Sequence, residues 1–221
     1  KVAITEGLFD QIRVDHGKEF YLTLYMQEML SQFRTNPRRD PHRQTQSKKN
    51  LRIERFWVEV NARVNYPIKN ALRSMEEVDM IDMDIDETKY CVSAVSLLIA
   101  KFGMQQVVES WNYHPIPGVG KPIIVRNANY RVAPITPQLV PTPEDALTRY
   151  EASGGHLTAF PVFGTDPLRD NPDLVNIREQ QFIDANDIHT IYGCLVNDMD
   201  QYFRDAISTY CDLTRRLLAN V

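Results

Sequence analysis

The chain has 221 residues, 43% of them hydrophobic and 24% charged, with 9 Gly and 13 Pro. This composition excludes wholesale disorder and collagen-like repeats, and the length suits one large domain or a compact domain with a substantial extension. The net charge of −4 hides a division: residues 1–73 carry 14 Lys or Arg against 8 Asp or Glu, whereas residues 74–221 carry 11 against 21.

The basic first third is therefore the part suited to a polyanion. The longest apolar stretch, Cys91 to Ala100, is interrupted by Ser93 and Ser96. It falls well short of the roughly 20 residues of a membrane helix, so neither a membrane span nor a membrane partner is expected. Cys91, Cys194 and Cys211 are far apart and form no CxxC pair, which argues against a zinc knuckle or a disulfide framework and for a reducing intracellular compartment. The chain opens at Lys1 with no charged and apolar leader, as expected of a piece of a longer protein.

In chain order, residues 1–7 read as the tail of a helix stopped at Gly7. Gln11 to Asp15 alternate polar and apolar residues and end at His16-Gly17, the pattern of a strand. From Glu19 to Phe33 the apolar residues recur on one helical face. Residues 34–49, with two prolines and high positive charge, predict an extended basic loop that is mobile without a partner. A helix is expected from Asn50, its N-cap, with Ile53, Trp57, Val60 and Val64 at helical spacing until Pro67 breaks or kinks it.

A further helix is expected from Asp86 to Trp111, its positive end facing Asp82, Asp84, Asp86 and Glu87. The turn His114 to Gly120 ends it, Ile123 to Val132 is a strand candidate, and Ala133 to Pro143 reads as a proline-rich linker. A short helix from Thr142 or Pro143 to Tyr150, a loop from Pro161 to Asp173 and an amphipathic helix from Met199 to Leu218 complete the reading.

Two motif fragments fail on inspection. Asp82-x-Asp84-x-Asp86 opens like a calcium loop, but Glu87 stands where the turning Gly belongs and Ser93 where the bidentate Glu belongs. Gly118-Val119-Gly120-Lys121-Pro122 lacks the spaced first Gly and the hydroxyl of a phosphate loop. His42, His114, His156 and His189 have no partner at metal-ligand spacing. Phe56 and Trp57 are better placed in a core than on a base-stacking platform.

The stronger constellation is Asp15 at a strand end, where open α/β sheets place their sites, with Glu54 on the first turn of a later helix. Two such carboxylates suit a hard divalent ion, which prefers oxygen ligands. Three segments carry a resemblance: Asp15-His16-Gly17-Lys18-Glu19-Phe20, Asn50-Leu51-Arg52-Ile53-Glu54-Arg55-Phe56-Trp57, and Trp111-Asn112-Tyr113-His114-Pro115. In order and spacing they are similar to the D-x-G-x-E-F, N-x-x-I-E-R-x-W and W-N-x-H-P segments of the DDE integrase and transposase catalytic core. The likeness is strongest to the eukaryotic integrase-core proteins derived from mobile elements, and it covers roughly residues 7–120.

The resemblance implies an α/β fold of ribonuclease H type, represented by its C-terminal half over residues 1–120, then a turn and linker at 121–143 and a mostly helical extension at 144–221. It implies that Asp15 is the second and Glu54 the third metal-binding acid, with Mg²⁺ or Mn²⁺ as the ion and DNA as the partner. It also implies a homo-oligomer in the full-length protein and a nuclear or other intracellular location. The first acid of the family lies on an earlier strand, and only fourteen residues precede Asp15. His16 stands where many integrases carry Asn. The basic residues Arg38, Arg39, Arg43, Lys48, Lys49, Arg52 and Arg55 are the expected contacts to DNA phosphates. The function expected is DNA integration or transposition, incomplete in this chain; the alternatives are a domesticated, non-catalytic nucleic-acid-binding protein and a protein-interaction module.

Overall fold

The computed structural model describes residues 2–46, 51–128, 132–157 and 163–219. In chain order its helices are α1 (Val2–Glu6), α2 (Tyr21–Met29), α3 (Leu51–Val60), α4 (Tyr66–Glu77), α5 (Asp86–Tyr113), α6 (Pro122–Ala128), α7 (Pro143–Ala152), α8 (Pro172–Ala185), α9 (Ile188–Leu195) and α10 (Gln201–Leu218). The strands are β1 (Leu8–Phe9), β2 (Ile12–Val14), β3 (His42–Gln44) and β4 (Val132–Ala133). Two compact units share the chain, one formed by Lys1–Arg55 and Pro115–Phe160, the other by Phe56–His114 and Pro161–Val221. The units therefore interleave along the sequence instead of following one another.

In the first unit, Gly7 ends α1 with φ +89°, and a Cβ there would lie 2.4 Å from Val132 Cγ1. The close approach lets β1 pair antiparallel with β4, Leu8 opposite Ala133 and Phe9 opposite Val132. Leu8, Leu30 and Ile135 form a small core, joined by Met26, Phe33 and Val140. Ala133 to Pro143 is thus not a linker: Ala133 belongs to a strand, Ile135 is buried and Pro137–Leu139 is a 3₁₀ turn.

The strand expected from Ile123 to Val132 is also corrected, since Pro122–Ala128 is helical; residues 129–131 lie outside the described residues. Pro122 supplies the φ a first helical turn needs and lacks only an amide that the turn leaves unpaired, which outweighs the β-branched run after it. The other sheet joins β2 and β3 in parallel, Ile12 opposite His42 and Val14 opposite Gln44, with α2 in the connection. A strand therefore stands inside the segment expected to be a loop.

The second unit is helical. Pro67 does not end the helix before it: the path runs from α3 through a π-helical turn, Asn61–Asn65, into α4, with Pro67 in the first turn. A proline within a helix clashes with the carbonyl four residues back, and the wider turn supplies the extra room just ahead of it. α4 has no counterpart in the sequence reading, and α8 and α9 fall within the expected mostly helical extension without having been placed there. α8 begins at Asn171, whose side chain accepts from the Leu174 amide, and α9 at Asp187, whose carboxylate accepts from the His189 and Thr190 amides. Ala71, Met75, Val95, Ile99, Phe182, Phe203 and Ile207 belong to a continuous core spanning α4, α5, α8 and α10.

At its margin Arg178 is fully buried and meets the Asp166 carboxylate with two bonds, 2.8 and 2.7 Å. The Tyr90 hydroxyl donates to Asp166 at 2.9 Å, and the guanidinium lies over the Tyr90 and Tyr210 rings. Burial disfavours ionised Asp166, but the bonds from Arg178, the Leu168 amide and Tyr90 outweigh it and hold the carboxyl below its ordinary value. Gly164, on the same loop, has φ +79°, and a Cβ there would meet the Tyr90 backbone nitrogen at 2.5 Å.

Two outcomes follow for urea unfolding of the chain. Gly164→Ala costs about 1–3 kcal/mol, because backbone cannot retreat as a side-chain tip can. Arg178→Met costs about 3–5 kcal/mol by leaving Asp166 unpaired. Because the folded-state pKa of Asp166 is depressed, its contribution is present above about pH 4 and lost as the pH falls below that. Asp166→Asn should flatten stability over that acid range, and an unchanged acid slope would remove Asp166 as its source.

Candidate functional site

The site is built where β2 and β3 end side by side. Three residues of β2 alternate partly buried and exposed, and Asp15 follows immediately, half-buried. Its Oδ1 accepts the Gly17 amide at 3.0 Å, a turn that fixes the carboxylate at the strand end. Thr45, one residue beyond β3, continues the ladder by donating its amide to Val14 at 2.9 Å. Its hydroxyl is buried without a hydrogen-bond partner among the described residues. Glu54 lies in the first turn of α3 and is exposed, at the end where the helix dipole favours an acid.

The acids thus follow the carboxyl ends of two neighbouring parallel strands, Asp15 directly and Glu54 after the start of the next helix. Carboxylates and a hydroxyl are oxygen donors of the kind a hard cation accepts, and Thr45 follows β3 as Asp15 follows β2. Among the described residues no group of three or more His, Cys, Asp or Glu is assembled that could hold a metal.

The basic residues divide into two kinds. Arg34, which the sequence reading left out of its site, is buried and holds the loop together: it donates to the carbonyls of Ser31, Asp10 and Arg39. Arg39 is tied to Gln11 at 3.0 Å and to Asp10 at 3.5 Å. The described part of the basic loop is therefore pinned to the sheet, contrary to the mobility expected of it. Arg38, Arg43 and Arg55 are exposed. Lys48, Lys49 and the N-cap Asn50 lie outside the described residues, as does the side chain of Arg52.

Sequence reasoning missed Arg13, which stands opposite Arg43 in the β2–β3 register, both side chains exposed. The signal was present in the strand alternation around Arg13, but the partner strand had been assigned to a loop. Two like charges directly opposite repel, a cost that an anion between them would relieve.

The second unit brings two of the three sequence segments into contact. Phe56 and Trp111 meet edge to face, ring centroids 5.5 Å apart, and Phe56 packs against the cluster of Val60, Val64 and Val107. Trp57, expected in the core beside Phe56, is 47% exposed. α5 also corrects the hydropathy reading: over an 18-residue window its mean hydropathy is 1.5, enough by length and composition to cross a membrane. Cys91, Val92, Val95, Ile99 and Val107 are nevertheless buried in the second unit, as in a core helix.

The first unit thus holds a parallel strand pair joined through a helix, with Asp15 directly after one strand and Glu54 further on from the other, in the first turn of α3. The model of the integrase core domain family matches residues 1–121, and the chain belongs to that family. No curated protein and no solved structure matches it.

Replacing Arg34 with Ala should remove the brace behind this sheet. Loss of this buried cation removes its bonds to the carbonyls of Ser31, Asp10, Pro37 and Arg39, and we expect a loss of about 2–4 kcal/mol in thermal or urea unfolding. Arg38→Ala, at an exposed side chain, should change stability by less than about 0.5 kcal/mol.

Proposed function

We propose that this chain is part of a polynucleotidyl transferase acting on DNA, the C-terminal half of a ribonuclease H-like core that carries out integration or transposition. The observation that supports this most is the succession β2, Asp15, α2, β3, α3 with Glu54, a parallel strand–helix–strand unit with an acid after each strand, inside the region matched by the integrase family. Asp15 and Glu54 would hold the divalent ion, with a third carboxylate needed to complete the family's set. When bound, such ions activate an oxygen nucleophile and stabilise the leaving oxygen of a phosphodiester.

The chain's own residues then have simple tasks. The turn to the Gly17 amide orients Asp15, the first turn of α3 presents Glu54, and Arg13, Arg43, Arg38 and Arg55 neutralise phosphates on the strand being cut or joined. Lys48, Lys49 and Arg52 belong to the same proposed surface, and Arg39 is the exception, being engaged in holding the loop. Assembly of the parent protein as a homo-oligomer, a nuclear or other intracellular location, and a core-helix role for α5 away from any membrane complete the reading.

Titration of the isotope-labelled chain with Mn²⁺ tests the metal reading. Broadening of the amide signals around Asp15–Gly17 and at the start of α3, lost in both Asp15→Asn and Glu54→Gln, is the expected result; broadening elsewhere, or none, would sink it. The nucleic-acid reading is tested by fluorescence anisotropy on a labelled duplex over a salt series. Arg13→Ala/Arg43→Ala should make the log–log salt slope shallower by about two units, since each contact contributes about −0.9, while Arg215→Ala/Arg216→Ala leaves it unchanged.

A further inference from the structure

α5 is more apolar than its own unit buries. Its most hydrophobic window has a mean hydropathy of 1.5 but only 33% of it is buried, and Leu97 stands 65% exposed. Between this helix and α4 runs a groove of about 820 Å³, with Ile68 and Leu72 on one wall and Val92 and Leu97 on the other. Ser93, Ser96 and Ala100, spaced three and four residues apart on α5, contribute small side chains to it, so the two helices leave room between them.

The Ser96 hydroxyl is buried with no hydrogen-bond partner among the described residues. The groove extends from Asn65, the last residue of the π-helical turn, along α4 to Glu76, about 16 Å at the helical rise, or three turns.

Its charge is one-sided. Lys69, Arg73 and Lys89 line it against a single acid, Glu76. Lys89 is within 3.3 Å of Asp86, whereas Lys69 and Arg73 are exposed and have no ion pair among the described residues. An occupant that satisfied both surfaces would need large apolar side chains along one face and acids beside them. The length and concavity match a helix laid into a groove and read at positions i, i+3, i+4 and i+7.

We propose that the α4–α5 groove is a docking site for an amphipathic helix of a partner protein, its apolar face flanked by Asp and Glu. This surface is separate in kind from the acids Asp15 and Glu54, and nothing in the docking argument depends on nucleic-acid chemistry.

The test uses the full chain and a labelled helical probe peptide of about 18 residues, Leu at the helical spacing above and Glu flanking it, with a Lys-flanked peptide and a scrambled peptide as comparisons. Anisotropy should show saturable binding of the Glu-flanked peptide and at least about tenfold weaker binding of the other two. Lys69→Glu/Arg73→Glu changes only exposed side chains, and it should reverse the preference in favour of the Lys-flanked peptide. Ser93→Trp, filling the groove, should abolish both, with circular dichroism confirming that the variant is folded.

Equal binding of Glu- and Lys-flanked peptides, no binding of either, or a preference untouched by the double charge reversal would overturn the proposal. So would sedimentation showing that the same double variant dissociates a dimer of this chain, since the occupant would then be a second copy. Flotation of the chain with anionic vesicles, without binding of the Glu-flanked peptide, would overturn it in favour of a lipid surface.

Discussion

A guanidinium with no access to water must have every donor and its charge answered locally, and in the helical unit Arg178 imposes that condition on three elements and a loop. Asp166 supplies the counter-charge, Tyr90 from α5 joins the same carboxylate, and Glu179 accepts from both Arg178 and the Tyr210 hydroxyl of α10. Burial and the bond to Glu179 push the Tyr210 phenol well above its ordinary value, so it remains a donor under all ordinary conditions. The stretch before α8 lies tightly on α5 at Gly164, where a Cβ would meet the Tyr90 backbone nitrogen at 2.5 Å. The hydrophobic core spans α4, α5, α8 and α10, and the ionic cluster ties the loop before α8 to α5, α8 and α10.

The smaller unit solves a comparable problem with carbonyls. Two-residue and three-residue strands offer few ladder bonds, and short sheets are weak by themselves. Arg34 makes up for this by gathering carbonyls from three directions, while the Gln27 side chain donates to the Phe9 carbonyl and ties α2 to β1. The position of Asp15 therefore depends on side chains that are neither acidic nor close to it in sequence.

This division accounts for what could be read from the sequence and what could not. The strand before Asp15, the helix after it, the start of α3 near Glu54 and the long α5 were legible, because each depends on local periodicity and on residues adjacent in the chain. β3 was not, since His42-Arg43-Gln44 has no apolar alternation and becomes a strand only by bonding to β2. How Pro67 is accommodated was not legible, because the π-helical turn ahead of it has no composition signature, nor was the burial of Ile135, because a proline-rich setting obscured it. The acids were legible as residue types in a motif. Arg13 was not, because its significance lies in the residue across the sheet, and Arg39 was placed with the ligand-facing cations although its bonds turn inward.

The π-helical turn at Asn61–Asn65 has a consequence for how this chain tolerates change in length. Such a turn contains one residue more than the regular helix it interrupts, and each residue rotates a helix by about 100°. α4 buries Ala71 and Met75 only because that additional residue has been counted. Removing any one residue between Asn61 and Asn65 would restore regular helix but swing Ala71 and Met75 toward solvent, and carry Lys69 and Arg73 inward. The stretch therefore acts as a spacer whose length is under constraint: substitutions at its exposed positions Ala62 and Arg63 are absorbed, whereas a change at buried Val64 or a single-codon deletion is not.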